Sequence, residues 1–198
     1  QLKAVFTDIH PDGIKIGMLG SGKTVEAVVQ LLREYRPLNI VVDPVMKSTS
    51  GYSLLSSKAR KEMEEGLFPL VSLITPNIPE AEILSGITIQ EKMDMEIAAE
   101  VLWKRYRIPV LVKGGHLKDR ADDLLYLGES LWYPGRHLPS KNTHGTGCTL
   151  STAIACSLAA GQTLKGAVTE AKKYISGAMN PGLDLGKGNG PLHHGWEM

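Results

Sequence analysis

The apolar residues of this 198-residue chain fall into two alternating patterns. Short, nearly continuous apolar runs are typical of strands buried on both faces of a parallel sheet. Longer segments with an apolar residue at every third or fourth position are typical of helices that bury one side. The short runs predict strands at residues 13–19, 39–42, 70–75 and 109–112. The longer segments predict helices at residues 1–9, 24–35, 57–65, 79–84, 94–106, from about 146 to 160, and 163–179.

The order of these elements predicts the fold class. Strands and helices alternate along the chain, which indicates an α/β fold with a mostly parallel central sheet between two layers of helices. Three further short strands, at residues 124–127, 130–133 and 136–138, are separated by turn-length gaps and predict an antiparallel edge. With no repeat or interdomain linker, we expect a single domain over residues 1–198.

Composition narrows the classes of partner. The 22 basic and 21 acidic residues give a net charge of +1, which does not favour binding to nucleic acid or to an anionic membrane. The sequence contains no run of about 18 apolar residues and no signal-peptide pattern, so we expect a cytoplasmic protein that binds a small molecule. The tail around His193 and His194 is rich in glycine and proline, and we expect it to be flexible.

Polar residues follow the predicted strands. Asp43 ends one apolar run, Asn77 comes just after another, and Lys113 follows a third. Because ligands of parallel sheets bind beyond the carboxyl ends of the strands, these residues and Cys148 should share one edge of the sheet. That edge is the predicted active site.

The stretch from Asn142 to Cys148, which opens onto a helix of small apolar residues, is the most informative in the chain. Gly145 and Gly147 bracket Thr146, and glycines at a helix start leave backbone N–H groups uncovered for an anion. Cys148 lies at the first helical turn, where the helix dipole favours a thiolate. The alternative from these residues alone is a tight glycine turn with a small buried cysteine.

A second glycine turn gives a competing interpretation. Gly17, Gly22, Lys23 and Thr24 have the spacing of a phosphate-binding P-loop, with a strand before and a helix after. Asp43 would then imitate the acidic residue that holds magnesium in P-loop NTPases. That interpretation gives no role to Lys113 or to the glycine turn at residues 142–148, which we call the anion turn.

Five segments together resemble a known family. Residues 15–19, 43–46, 75–80, 112–116 and 142–149, in this order, are similar to motifs of the hydroxymethylpyrimidine/phosphomethylpyrimidine kinases of thiamine biosynthesis. These enzymes belong to the ribokinase-like superfamily, and the similarity runs almost the full chain. The resemblance implies a ribokinase-like three-layer α/β/α fold. It also implies ATP-dependent phosphorylation of 4-amino-5-hydroxymethyl-2-methylpyrimidine and then of its monophosphate, with Mg²⁺ as cofactor.

The resemblance also implies roles for the residues of the anion turn. Cys148 corresponds to the family's catalytic residue, which contacts the substrate and takes its proton. The amides of Gly145, Thr146, Gly147 and Cys148 would stabilise negative charge on the transferring phosphoryl group. Lys113 would bind the nucleotide phosphates as a point charge.

Further roles are implied at the other strand ends. Asp43 and Glu80 would bind Mg²⁺, partly through water. Asn77 would contribute to the nucleotide site, and Met18 and Val45 would line the pyrimidine. The residues alone leave simpler alternatives open: a turn role for Asp43, helix-start charge for Glu80, and core packing for Met18 and Val45.

The chain departs from the family pattern at its beginning. Family members carry about sixty further residues before the position of Gln1, including a first strand and a glutamine that binds the pyrimidine. We therefore expect a ribokinase-like domain that lacks this N-terminal portion. The alternatives to pyrimidine phosphorylation are a pyridoxal or pyridoxine kinase, the P-loop NTPase, and a non-catalytic pyrimidine-sensing module. The resemblance also implies a homodimer.

Overall fold

The structure is a computed structural model that describes residues 1–46, 54–115, 121–135, 145–179, 183, 187–188 and 190–196. Seven α-helices and six strands lie in these ranges. The helices are α1 (Leu2–Asp8), α2 (Gly22–Tyr35), α3 (Ser57–Glu62), α4 (Ile78–Ser85), α5 (Lys92–Tyr106), α6 (Thr146–Ala159) and α7 (Leu164–Ala178). The strands are β1 (Ile14–Ile16), β2 (Ile40–Val42), β3 (Leu73–Ile74), β4 (Val110–Val112), β5 (Asp123–Tyr126) and β6 (Ser130–Tyr133).

The six strands form one sheet whose spatial order equals their order in the sequence. Strands β1 to β4 are parallel, whereas β5 and β6 add an antiparallel edge next to β4. The predicted α/β class and the antiparallel edge are therefore confirmed. The strand predicted at residues 136–138 lies outside the described residues.

Alternation along the strands divides the core into two layers. Val41, Leu73, Leu111 and Leu125 share the face covered by α6 and α7. Their neighbours Val42, Ile74, Val110, Val112 and Leu124 face the other way, against α2, α4 and α5. Because side chains alternate between the faces of a strand, continuous apolar runs serve both layers at once.

The third strand is shorter than the prediction of residues 70–75. Helix α3 continues into a π-helical turn (Met63–Leu67), and a 3₁₀ turn follows (Phe68–Leu70) before β3 begins at Leu73. Leu67 and Phe68 have no exposed surface, and Pro69 stands at the start of the 3₁₀ turn, where its missing N–H is tolerated. The apolar run at this point therefore fills the core as turns before it enters the sheet.

Two helices begin earlier than their apolar pattern predicts. Helix α2 starts at Gly22 because the Ser21 hydroxyl accepts the backbone N–H of Thr24. Helix α5 starts at Lys92, where the Asp94 carboxylate accepts the backbone N–H groups of Gln90 and Glu91. Side-chain caps extend a helix into polar residues that a search for apolar periodicity leaves out.

The described part of the C-terminal tail packs on α7, contrary to the expectation of a flexible tail. The backbone N–H of His193 donates to the Ala178 carbonyl at 2.9 Å, and the Tyr174 hydroxyl donates to the His194 carbonyl at 2.9 Å. The rings of Tyr174 and His194 also stack. None of the helices in the described residues has the length and apolar character that a membrane span requires.

Candidate active site

Asp43 and Lys113 meet at the carboxyl edge of the sheet. Asp43 follows β2 and is only 3% exposed, and Lys113 follows β4, two strands away. The Lys113 Nζ lies 2.6 Å from Asp43 Oδ1, within an ion pair that is largely shielded from water. The predicted convergence of strand ends is therefore present, with a positive and a negative charge held together.

The backbone around Lys113 is held from both sides. The N–H of Lys113 donates to the Pro76 carbonyl at 2.9 Å, and Lys113 forms an isolated parallel bridge with Asn77. The N–H of Gly114 donates to Asp123 Oδ1 at 2.8 Å. These bonds fix the direction in which the lysine leaves the strand.

Asn77 and Glu80 form a capping box at the start of α4. The Glu80 N–H donates to Asn77 Oδ1 at 2.9 Å, and the Asn77 N–H donates to Glu80 Oε2 at 2.8 Å. Burial raises the pKa of Glu80 above its ordinary 4.5, and the nearby Asp43 charge adds to this, whereas Lys113 and backbone hydrogen bonds lower the pKa. Glu80 therefore has an observed structural role in addition to the metal role expected of it.

The anion turn reaches the same ion pair. Gly145 has φ 84° and is the N-cap residue of α6, where a glycine has no side chain with which to accept the first N–H groups of the helix. A β-carbon placed on Gly147 would lie 3.1 Å from Lys113 Nζ and 3.7 Å from Asp43 Oδ2. The start of α6, the lysine and the aspartate therefore lie close together, and Thr146 lies between the two glycines.

Cys148 stands in the first turn of α6 and is exposed. It borders a cavity of about 580 Å³ between α6 and α7, whose described lining also includes Cys156, Tyr174 and His194. Both cysteines face this cavity from one helix. Cys148 is therefore exposed, and the alternative of a small buried cysteine is not what the structure shows.

Met18 and Val45 lie on the segments that follow β1 and β2, at the edge of the sheet that carries Asp43. Met18 is on the segment after β1 and is 58% exposed, so it is not a core residue. Val45 is partly buried, and its N–H donates to the carbonyl of Asp43 at 2.8 Å. Because β1 and β2 are neighbours, both residues lie at the same edge of the sheet as Lys113.

The P-loop pattern at residues 17–24 lies beside a carboxylate, which is not the environment of a phosphate-binding loop. The start of α2 is capped by the Ser21 hydroxyl, and the Glu62 carboxylate lies so close that a β-carbon on Gly22 would collide with it. Lys23 is exposed. A carboxylate at the place where a P-loop binds phosphate would repel the phosphate, so the structure does not support the P-loop alternative.

The sequence interpretation missed Asp123 and Lys172. The Oδ2 atom of Asp123 lies 2.6 Å from the Nζ of Lys172 on α7, and both side chains are largely buried. The signal was the pair Asp122 and Asp123 at the start of an otherwise apolar strand. Adjacent carboxylates there must each find a partner, one on either face of the sheet.

Comparison with known proteins identifies the family. A family model described as phosphomethylpyrimidine kinase matches residues 1–193. The chain is 45% identical over 196 residues to the thiamine biosynthesis bifunctional protein ThiED of Geobacter sulfurreducens, an alignment that covers 98% of this chain and 40% of that protein. The chain therefore spans less than half the length of this bifunctional relative.

Solved structures give the same result. The phosphomethylpyrimidine kinase of Clostridium difficile 630 superposes with a TM-score of 0.77 at 41% identity, over 88% of this chain and 72% of that one. An ADP complex of Bacillus subtilis pyridoxal kinase superposes with a TM-score of 0.87 at 33% identity, over 98% of this chain and 74% of that one.

The fold and these relatives define a ribokinase-like phosphotransferase whose anion turn opens α6 at the carboxyl edge of the sheet. Within that class, the chain belongs to the phosphomethylpyrimidine kinase family.

Proposed function

We propose that the full-length protein transfers the γ-phosphoryl group of ATP to the hydroxymethyl group of 4-amino-5-hydroxymethyl-2-methylpyrimidine, and then to the resulting monophosphate, in thiamine biosynthesis. The observation that carries the proposal is the Lys113–Asp43 ion pair beside Gly147 of the anion turn. The family match supports the choice of reaction and substrate. Residues 1–198 then act as a single kinase domain.

The nucleotide phosphates lie, in this proposal, against the start of α6. The amides of Gly145, Thr146, Gly147 and Cys148 stabilise the negative charge that spreads over the oxygens of the transferring phosphoryl group. Lys113 attracts the same oxygens as a point charge, and Asn77 orients the backbone beside it. The rest of the nucleotide occupies the cavity between α6 and α7, whose volume of about 580 Å³ is typical of ligand sites.

In this proposal Cys148 accepts the proton of the substrate hydroxyl group as the general base. The substrate hydroxyl oxygen forms a bond to the γ-phosphorus while the bond from that phosphorus to the bridging oxygen of ADP breaks. The hydroxyl proton passes to the Cys148 sulphur, which stands in the first turn of α6. The thiol that results returns its proton to solvent after the product leaves.

The carboxylates of the site fit Mg²⁺. Asp43 and Glu80 supply hard oxygen donors. Among the described residues no group of three or more potential protein ligands could hold a metal ion, so the other ligands would be phosphate oxygens and water. Magnesium is commonly held by one or two carboxylates together with phosphate oxygens and water. When bound, Mg²⁺ would neutralise negative charge on the nucleotide phosphates, and Asp43 and Glu80 would hold it.

The pyrimidine acceptor lies, in this proposal, between the segments that follow β1 and β2. Met18 offers an exposed thioether side chain there, and Val45 a partly buried apolar surface. Flat heteroaromatic rings pack well against such flexible and branched apolar groups.

The experiment that tests the proposal is a phosphorylation assay with the full-length protein, Mg·ATP and hydroxymethylpyrimidine, with the products identified by mass spectrometry. We expect both the monophosphate and the diphosphate. Cys148→Ala should abolish transfer, and Lys23→Ala, in the P-loop-like turn, should leave it intact. The reverse pattern would establish the P-loop alternative, and no phosphorylated product at any Mg·ATP concentration would favour the sensing module.

Pyridoxal is the second candidate acceptor, because the Bacillus subtilis pyridoxal kinase superposes on nearly the whole chain. Parallel assays with pyridoxal and hydroxymethylpyrimidine measure the preference as a ratio of kcat/KM values. We expect this ratio to favour the pyrimidine. Cytoplasmic location, expected from the composition, and a homodimer, implied by the family resemblance, stay predictions. Sedimentation of the purified protein tests the dimer.

A further inference from the structure

Asp123 connects two parts of the molecule that border the proposed site. It opens β5 and is 7% exposed. Its Oδ1 accepts the N–H of Gly114 at 2.8 Å, and its Oδ2 pairs with Lys172 Nζ at 2.6 Å. One carboxylate therefore holds the segment after β4 with one oxygen and α7 with the other.

The first of these contacts acts on Lys113. Gly114 follows Lys113 directly and packs so tightly on the Asp122 carbonyl that a β-carbon on Gly114 would overlap it. The bond from Lys113 N–H to the Pro76 carbonyl fixes one side of this short segment, and the bond from Gly114 N–H to Asp123 fixes the other. Loss of the Asp123 bond would free the backbone from which the Lys113 side chain reaches Asp43 and Gly147.

The second contact acts on α7. Lys172 is largely buried, and its neighbours Ala171, Lys173 and Tyr174 line the cavity that Cys148 borders. Breaking a buried pair by removing one partner leaves the other charge uncompensated, which is costly. The pair therefore holds α7, and with it one wall of the cavity, in a fixed position against β5.

We propose that Asp123 is a positioning residue of the phosphotransfer site, which sets the place of Lys113 through Gly114 and the place of the cavity wall through Lys172. This inference rests on the proposed function, because it assigns the phosphates to Lys113 and the remainder of the nucleotide to the cavity. It adds a residue that contacts neither substrate.

Substitutions separate the two contacts. Asp123→Asn keeps an oxygen for the Gly114 N–H and loses the charge that pairs with Lys172, as does Lys172→Met from the other side. Asp123→Ala loses both contacts. We expect Asp123→Asn and Lys172→Met to raise the KM for ATP about fivefold with kcat nearly unchanged, and Asp123→Ala to lower kcat by about tenfold in addition.

Asp122 provides a matched control on the opposite face of the sheet. It is 2% exposed, its Oδ2 pairs with Lys92 Nζ at 2.6 Å, and its Oδ1 accepts the N–H of Gly135 at 2.8 Å. Asp122→Asn and Lys92→Met therefore break an ion pair that holds α5 rather than α7, and in this pair the Lys92 side chain is 48% exposed whereas that of Lys172 is 16% exposed. We expect them to lower the melting temperature by less than the Asp123 series, because Lys92 is partly solvated, and to leave KM and kcat unchanged at a temperature well below unfolding.

Two results would contradict the proposal. One is an equal change of KM and kcat in the variants of the Asp122–Lys92 pair and of the Asp123–Lys172 pair. That result would show that both ion pairs only stabilise the fold. The other is an unchanged rate of hydrogen exchange at the Gly114 amide in Asp123→Ala, measured by NMR. The exchange measurement needs no activity, so it tests the anchoring of Gly114 even where the wild-type protein phosphorylates neither acceptor and the proposed function itself fails.

Discussion

The Nζ of Lys113 lies 3.1 Å from the point where a β-carbon on Gly147 would stand. Real β-carbons rarely come this close to another heavy atom, so a side chain at residue 147 would require the Lys113 ammonium to shift by a few tenths of an ångström. The lack of a side chain at residue 147 thus makes room for the Lys113 ammonium.

Gly147→Ala should reduce activity without reducing stability. The added methyl group would displace the Lys113 ammonium, and a displacement of this kind costs about tenfold to a hundredfold in kcat/KM. Alanine favours a helix over glycine by roughly 0.5–1 kcal/mol, which offsets the crowding in the folded state. Steady-state kinetics and urea unfolding measure the two effects.

Gly166→Ala is the control for Gly147→Ala. Gly166 also lies in the first turn of a helix, α7, and a β-carbon there would lie 3.1 Å from the end of the Gln162 side chain and 3.3 Å from the Thr163 hydroxyl, neither of which is part of the proposed site. We expect unchanged kinetics. An equal loss of activity in both variants would point to a general effect of alanine on helix starts.

Lys113→Met should destabilise the protein as well as inactivate it. The Asp43 carboxylate would stay buried without its partner, and breaking such a pair costs about 3 kcal/mol of unfolding free energy. The double variant Asp43→Asn/Lys113→Met should recover much of the stability and none of the activity. Urea unfolding of the four proteins of this cycle gives the coupling energy, and a coupling near zero would argue against the ion pair in solution.

Glu80→Gln should change the pH dependence of stability. Burial raises the folded-state pKa of Glu80 above 4.5, so the folded protein binds a proton that the unfolded chain has released. The wild-type protein therefore loses stability as pH rises from 4.5 through the higher folded-state pKa. Glutamine keeps an oxygen for the Asn77 N–H and has no charge to bury.

The stability of Glu80→Gln relative to wild type should accordingly increase with pH above 4.5 and level off once the folded-state carboxyl is ionised. Unfolding free energies measured without added Mg²⁺ at several pH values from 4 to 8 test this. A difference that is constant over the whole range would show that burial does not raise the pKa of Glu80.

Cys148→Ser should reduce catalysis far more than nucleotide affinity. A serine hydroxyl is a much weaker proton acceptor than a thiolate, so we expect kcat to fall by about a hundredfold with little change in the Kd for ATP. Cys156→Ser is the matched control, since Cys156 lines the same cavity from two turns further along α6. Equal losses in kcat and ATP affinity would argue against a proton-transfer role for Cys148.

The local patterns that the sequence carries were sufficient for most elements. The apolar run before Asp43 gave β2, the run before Lys113 gave β4, and Pro79 and Gly86 bounded α4. These patterns gave the wrong element where buried residues did not repeat at the spacing of a helix or a strand. Leu67 and Phe68 are fully buried in irregular turns, which hydrophobicity alone does not distinguish from a strand.

The sequence by itself determined which residues stand at the strand ends, because an apolar run records burial and its end records where the chain leaves the sheet. It also determined the glycine turn that opens α6, since a glycine pair at a helix start is a local feature. Only the tertiary structure decided the pairings. Lys113 meets Asp43 across 70 positions, and Asp123 meets Lys172 across 49. Such partners depend on strand order and on which face of the sheet each side chain takes, and these are properties of the whole packed sheet.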